Sequence, residues 1–224
     1  MEKATHLQEG LRGLKLKMLN MFAMVDRSVD RSIKAYTEMD EFLAEEVVEG
    51  DELINDLESE IDEYCLRILA LECPVAKDLR FIVGCMRISS DLERIADEAA
   101  NVAERVMIIG NRPRLSYYQD LTFMAQKAQI MLRKAEQCFN EQDQDLAVSI
   151  PKMDSEVDVL NHRIVKKIIE FMIQETPAIE RSVHNVIIVR RFERIADLST
   201  NIAENVYFMT RGINIKHKVN FDQR

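Results

Sequence analysis

The sequence predicts an all-α protein made of two tandem, pseudo-symmetric antiparallel three-helix bundles. The 224 residues include only 6 Gly, 4 Pro and no Trp, with 6% aromatic residues, a composition that favours helices over a β-sandwich. Apolar residues recur at spacings of three, four and seven along most of the chain, as on the buried side of a helix. The pentapeptide ERIAD occurs at 93–97 and again at 193–197, which indicates an internal duplication.

The first half of the chain, residues 1–110, is predicted to form three helices. An amphipathic helix covers residues 7–50, and Asp51 is expected to cap a second helix that ends before Pro74. A third helix covers residues 76–109, because the Gly-Asn-Arg-Pro run that follows it breaks helices. Each helix has one apolar side, so the three helices are expected to close on one another as a bundle.

The second half, residues 111–224, repeats this pattern. Helices are predicted over 121–139, 143–176 and 178–211, and Gly212 is expected to provide the C-terminal cap of the last one. An offset of 103 residues aligns the first two helices of the halves, and an offset of 100 aligns the two ERIAD helices. The two bundles are therefore expected to pack side by side as related copies.

Charge and cysteine spacing exclude several classes of protein. The net charge is −9 and the isoelectric point about 5.1, which disfavours nucleic-acid binding because a broad grip on phosphates needs clustered Lys and Arg. The four cysteines form no CxxC motif, so neither a zinc knuckle nor a redox pair is expected. No apolar h-region opens the sequence and no apolar run approaches about 18 residues, so we expect a cytoplasmic protein without a transmembrane segment.

Oxygen-bearing side chains recur at matching positions of the two halves. A helical wheel at about 100° per residue places them on the side away from each apolar stripe. The third and sixth helices carry Glu93, Asp97, Asn101 and Glu104, matched by Glu193, Asp197, Asn201 and Glu204. The second and fifth helices carry Asp51 and Asn55, matched by Asp154 and Asp158.

These twelve residues are predicted metal ligands. Carboxylates four residues apart on a helix lie roughly 5–6 Å from each other and repel by a few tenths of a kcal/mol. A divalent cation reverses that sign, because carboxylate oxygens are ligands that Mg, Mn, Ca, Fe and Zn all accept. The alternative is a solvated charged face, in which Arg94 pairs with Asp97 and Arg194 pairs with Asp197. Retention of the same residues in both copies favours a common role.

Other chemistries find little support in the sequence. No Glu is followed by His three residues later, so the inward-facing ligand set of a di-iron bundle is not expected. No Gly-rich phosphate loop occurs, and no Ser or Cys lies in a recognisable nucleophile motif. We therefore expect no catalytic residues.

With these motifs, essentially the whole chain resembles the PhoU family, the accessory and regulatory proteins of high-affinity phosphate uptake. The motifs that carry the resemblance are DELIN (51–55), PVAKDLR (74–80), DLERIADEAANVAE (91–104), DSEVD (154–158) and RFERIADLSTNIAE (191–204). The resemblance implies two three-helix bundles, multinuclear clusters of iron, zinc or another divalent ion on the carboxylate surface, and no catalysis. It also implies negative regulation of phosphate uptake and of the phosphate regulon, by an adaptor that links the ATPase of a phosphate ABC transporter to a sensor histidine kinase.

The resemblance further implies a homodimer that meets the membrane only through its partners.

Two departures from the family pattern are visible. Ala96 and Ala196 stand where the family usually has Gly, which affects how closely the helices approach but not the ligand positions. Asn55 stands where the second copy has Asp158, so the first-half site is expected to be less negative and to hold its ion more weakly.

Two alternatives to this regulator remain open from the sequence. The same carboxylates would suit a metal-dependent hydrolase of phosphate compounds, although no nucleophile or general acid is evident. A purely structural helical interaction protein would need no metal at all.

Overall fold

The computed structural model describes residues 2–110 and 112–215, and it confirms the all-α class. Within those ranges there is no strand, and the chain forms six α-helices with one short 3₁₀ helix at Thr176–Ala178. The α-helices are α1 (Glu2–Glu38), α2 (Glu41–Glu72), α3 (Ala76–Ile109), α4 (Tyr118–Glu141), α5 (Gln144–Gln174) and α6 (Ile179–Arg211). None of the described helices contains a stretch apolar enough to cross a bilayer.

The chain first reverses at Met39 and Asp40, and the predicted break at Gly50 was wrong. Met39 adopts a left-handed conformation with φ 58°, and the Asp40 side chain caps α2 by accepting a hydrogen bond from the backbone N of Leu43 at 3.0 Å. Gly50 and Asp51 lie within α2, so Asp51 is not a cap. One Gly inside a long helix costs only about 1 kcal/mol, which packing along the rest of α2 offsets.

The two ERIAD helices form the centre of the molecule. α3 and α6 make the most extensive contact of any helix pair, α1 and α2 pack on α3, and α4 and α5 pack on α6. α3 and α6 are antiparallel, because Arg191 contacts Glu98 at 2.9 Å while Asn205 contacts Asp91 at 3.4 Å. The two three-helix bundles therefore meet through their central helices.

The predicted apolar stripes are buried. Ile95 of α3 and Ile195 of α6 have no exposed surface, and neither do Ala96 and Ala196 next to them. Buried residues of all six α-helices join one continuous core. The division of the chain into 1–110 and 111–224 stays a prediction, because the two bundles share that core.

Caps and cross-repeat contacts fix the ends of the helices. Asp143 caps α5 by accepting hydrogen bonds from the backbone N atoms of Asp145 and Leu146, and Gly212 ends α6 with φ 72°, as expected. Between the repeats, the buried Tyr36 hydroxyl of α1 donates a 2.6 Å hydrogen bond to Oδ1 of Asn185 on α6.

Candidate functional site

The first predicted ligand set forms where α2 faces α3. Asp51 and Asn55 lie one turn apart on α2, and Glu93 and Asp97 lie one turn apart on α3. The antiparallel register brings Asp51 close enough to Asp97 for the two carboxyls to hydrogen-bond when one holds a proton. Nδ2 of Asn55 donates a 3.4 Å hydrogen bond to Oδ2 of Asp51. The four residues are therefore brought together, as the spacing predicts.

The electrostatics of this first set favour a cation. Burial, followed by repulsion from Asp97, raises the pKa of Asp51, and the hydrogen bond from Asn55 opposes that shift. Burial, followed by repulsion from Asp97 and Glu58, also raises the pKa of Glu93. Oδ1 of Asp51 and Oδ1 of Asn55 are both buried without a hydrogen-bond partner. A bound cation would satisfy these oxygens and relieve the repulsion.

Two further acids on α2 belong to this set and were not predicted. Glu58 lies beside Glu93, and burial followed by repulsion from Asp62 raises the pKa of Glu58. Oδ1 of Asp62 is buried without a partner. Asp51, Asn55, Glu58 and Asp62 are spaced by four, three and four residues, so they share one side of the helix. This spacing in the sequence could have predicted Glu58 and Asp62. Their negative charges compensate for the neutral Asn55, which stands where the second repeat has Asp158.

The second set forms where α5 faces α6. Asp154 and Asp158 lie one turn apart on α5, opposite Glu193 and Asp197 on α6. Burial, followed by repulsion from Asp197 and Asp158, raises the pKa of Asp154 to about 7. Burial and repulsion from Asp197 also raise the pKa of Glu193. Oδ1 of Asp154 is buried without a partner, as is Oδ1 of the 2% exposed Asn161, the counterpart of Glu58.

The arginine of the ERIAD motif forms an ion pair with the motif's Asp in the second set but not in the first. Nη1 of Arg194 donates a 3.1 Å hydrogen bond to Oδ2 of Asp197, the ion pair that the alternative of a solvated charged face expects. The Arg94–Asp97 pair that the same alternative expects does not form, and Arg94 lies 4.0 Å from Asp91 instead. Asp91 is 8% exposed, close to α6, and this more buried carboxylate attracts the guanidinium more strongly than the exposed Asp97 does.

The other four predicted ligands lie one to two turns further along α3 and α6 than the paired acids of the two sets. Nδ2 of Asn101 donates to the backbone O of Asp97 at 2.8 Å, and Glu104 pairs with Arg105 at 3.2 Å. Asn201 and Glu204 line a groove of about 670 Å³ between α2, α3 and α6. Glu58, Asp62, Arg87, Asp91 and Arg94 also line that groove. Asn201 and Glu204 of the second repeat therefore lie beside acids of the first repeat, although the spacing of their motif predicts a site with acids of the second repeat.

The donor chemistry of both sets fits a divalent cation, but neither set is a preformed site. Asp51 and Asp154 occupy equivalent positions, and each directs one unpartnered buried oxygen between two helices, as a ligand to a hard cation would. Across the described ranges, however, no three His, Cys, Asp or Glu side chains stand close enough to hold a metal ion. Side chains such as Asp97 and Asp158, which are exposed, would have to rotate inward on binding.

The fold and these two sets are those of a duplicated six-helix protein, in which each repeat has one pair of acid-bearing helices. The chain belongs to the PhoU family, because the family model for the PhoU domain matches it twice, over residues 18–106 and 121–206. The two matches coincide with the two three-helix bundles.

Individual relatives agree with this assignment. The chain is 35% identical to the phosphate-specific transport system accessory protein PhoU homolog of Aquifex aeolicus, over 93% of this chain and 94% of that protein. The Pseudomonas aeruginosa homolog is also 35% identical, over 92% of this chain and 86% of that protein. The crystal structure of Pseudomonas aeruginosa PhoU superposes with a TM-score of 0.88 at 34% identity, covering 92% of this chain and 99% of that one.

A second crystal structure is described as the phosphate transport system regulatory protein PhoU from Streptococcus pneumoniae. It superposes with a TM-score of 0.87 at 28% identity, covering 93% of this chain and 98% of that one. Both structures support the arrangement of tandem three-helix bundles.

Proposed function

We propose that this chain is the accessory protein of a phosphate transport system and acts as a negative regulator of phosphate uptake and of the phosphate regulon. In this role it is an adaptor between the ATPase of a phosphate ABC transporter and a sensor histidine kinase. Family membership along both repeats supports the proposal, as do the names of the relatives in Aquifex aeolicus and Pseudomonas aeruginosa. The adaptor works in the cytoplasm as a homodimer and reaches the membrane through its partners.

We further propose that divalent metal ions, iron or zinc among them, bind between α2 and α3 and between α5 and α6. The observation that carries this proposal is the unpartnered buried Oδ1 of Asp51, repeated at the equivalent Asp154. A metal ion between two helices would turn repelling carboxylates into shared ligands and would fix the distance between those helices. Each carboxylate set, with the helices around it, would then form a rigid acidic face on which the kinase or the transporter subunit docks.

Replacing the central acids of both faces tests whether these faces act in regulation. The variant carries Glu93→Ala, Asp97→Ala, Glu193→Ala and Asp197→Ala, and the readout is a reporter of the phosphate regulon in cells grown with abundant phosphate. We expect repression to be lost while helicity, followed by circular dichroism, stays unchanged, because these side chains lie outside the core.

A matched control removes the same number of charges elsewhere. It replaces four exposed acids of α2 and of the end of α5 by Ala: Glu52, Glu63, Glu170 and Glu175. Repression should persist in this control. Full repression in the first variant, at normal protein abundance, would remove the acidic faces from the regulatory mechanism.

A further inference from the structure

A small pocket lies at the junction of the two repeats, where the linker between α3 and α4 meets α1 and α6. The polar side chains that line it come from both repeats and from the linker: Tyr36, Arg112, Arg114, Tyr118, Arg181 and Asn185. Its volume is about 20 Å³, which admits little more than one water-sized group.

The equivalent place in the duplicated fold is apolar. Under the offsets that align the repeats, apolar residues stand where the pocket has Tyr36, Arg181 and Asn185, and these counterparts are Phe139, Phe81 and Cys85. There the rings of Phe81 and Phe139 stack with their centroids 6.2 Å apart, and Cys85 is fully buried. The duplicated fold therefore does not require polar groups here, and the pocket belongs to only one of two equivalent places.

The neutral polar groups of the pocket hold one another in place. Tyr36 and Asn185 are each 4% exposed, and the hydroxyl of Tyr36 donates its 2.6 Å hydrogen bond to Oδ1 of Asn185. Nδ2 of Asn185 donates to the backbone O of Arg181 at 2.8 Å. Because these groups have partners within the protein, the capacity of the pocket to bind a ligand lies with its arginines.

The acids in the first turns of the two neighbouring helices are already paired. Asp120 of α4 pairs with Lys167, and Glu180 of α6 pairs with Arg112 at 3.1 Å. Neither α4 nor α6 has a side-chain cap, and the N-terminus of a helix is its positive end. Two further arginines at this junction therefore add positive charge that these acids do not neutralise.

Those two arginines, Arg114 and Arg181, have no carboxylate partner in the part of the chain that the structure describes. The guanidinium of Arg114 lies over the ring of Tyr118, 4.8 Å from the ring centroid. Nη1 of Arg181 donates one hydrogen bond, to the backbone O of Pro113 at 2.6 Å. A guanidinium has five N–H donors, so both side chains keep most of their donors for a ligand.

A phosphate group fits this arrangement better than a carboxylate does. It carries close to two negative charges at neutral pH, which balance the charges of Arg114 and Arg181, and guanidinium forks bind its oxygens in pairs. Its oxygens are tetrahedral, so one can enter the pocket while the others contact arginines from the linker and from α6. The small volume of the pocket leaves any larger group attached to the phosphate outside.

We propose that this junction pocket binds one phosphate group between Arg114 of the linker and Arg181 of α6. The phosphate is either inorganic phosphate or the terminal phosphate of a nucleotide. Bound phosphate would tie the linker to the second repeat and would neutralise the positive charge at the junction. The pocket shares no residue with the two carboxylate sets, and this binding activity goes beyond the adaptor role.

Isothermal titration calorimetry with inorganic phosphate, at constant ionic strength and with a metal chelator, tests the site. The chelator is needed because phosphate oxygens also coordinate divalent cations. We expect one site per chain. Arg114→Gln and Arg181→Gln should each weaken binding at least about tenfold, because each removes charge-assisted hydrogen bonds. The matched control Arg163→Gln, at an exposed arginine of α5, should bind phosphate as wild type does.

A parallel titration with ATP distinguishes the two sources of the phosphate. Tighter binding of ATP than of inorganic phosphate, weakened by both substitutions, assigns a nucleotide, and equal or weaker binding of ATP assigns inorganic phosphate. Acetate, a planar monoanion, should not compete with either ligand.

Three results would overturn the proposal: no saturable binding of inorganic phosphate or ATP, binding that Arg114→Gln and Arg181→Gln leave unchanged, or acetate binding as strong as that of phosphate. Circular dichroism of both variants checks that a loss of binding is not a loss of folding. None of these results bears on the repression assay of the acidic faces, which tests the adaptor role separately.

Discussion

Asp154→Asn removes the least compensated charge of the second carboxylate set. Burial, followed by repulsion from Asp197 and Asp158, raises the pKa of Asp154 from 3.8 to about 7. Between those two pH values the folded protein keeps a proton that the unfolded chain has released. For metal-free protein, the contribution of Asp154 to the free energy of unfolding therefore falls as the pH rises from about 4 to about 7 and stays constant above that range.

The size of the effect follows from the same pKa. A tenfold change in proton affinity corresponds to about 1.4 kcal/mol. The raised pKa therefore means that ionised Asp154 lowers the free energy of unfolding by at most about 4 kcal/mol above pH 7. Asp154 is only half-buried, and water screens part of the repulsion, so we expect about 1–2 kcal/mol. Asn keeps the shape of the side chain and removes its charge, as Asn55 does in the first repeat.

Urea unfolding followed by circular dichroism, in buffer with a metal chelator, measures this effect. Asp154→Asn should match wild type near pH 4 and should be more stable by about 1–2 kcal/mol at pH 8. Glu52→Gln, at an exposed acid of α2, serves as the control and should differ from wild type by less than about 0.5 kcal/mol at both pH values. An Asp154→Asn variant that is less stable than wild type at pH 8 would refute the electrostatic reasoning.

Three further predictions concern the scaffold and are measured by urea unfolding. Asp143→Ala removes the cap of α5 and should cost about 1 kcal/mol; an unchanged stability would contradict the capping role. A Cβ at Gly84 would collide with the side chain of Met209, so Gly84→Ala should cost about 1–3 kcal/mol, and clearly less when Met209→Ala is already present; additive costs would contradict this contact. Tyr36→Phe leaves Oδ1 of Asn185 without its 2.6 Å donor and should cost about 1–2 kcal/mol; a neutral effect would show that water replaces the hydroxyl.

Apolar periodicity was enough to predict the fold, but it placed one helix boundary wrongly. The stripe continues with little change across Asp40, so the sequence offered Gly50 as the most visible break. The duplication held the better signal, because Asp143 was expected to begin the fifth helix and its counterpart is Asp40. A cap and a left-handed Met39 end a helix more effectively than one Gly does.

The candidate site was predicted in its central part only. The four-residue spacing on facing helices brought Asp51 near Asp97 and Asp154 near Asp197, since both pairs depend only on helix geometry. Glu58 was missed because the expected ligand pair ended at Asn55, although the row continues along the same side of α2. The position of Glu204 depends on how α6 packs against the other repeat, which a single helical wheel does not contain.

Metal content of the purified protein tests most directly whether the paired acidic helices hold cations. We predict that protein prepared without chelator carries divalent metal in a fixed ratio to chain, measured by elemental analysis, and that an Asp51→Ala and Asp154→Ala double variant loses it. Restoring metal to chelated wild type should raise its free energy of unfolding by about 2.7 kcal/mol at a hundredfold excess over the dissociation constant. Wild type without bound metal, whose stability does not respond to added iron, zinc or manganese, would contradict the account.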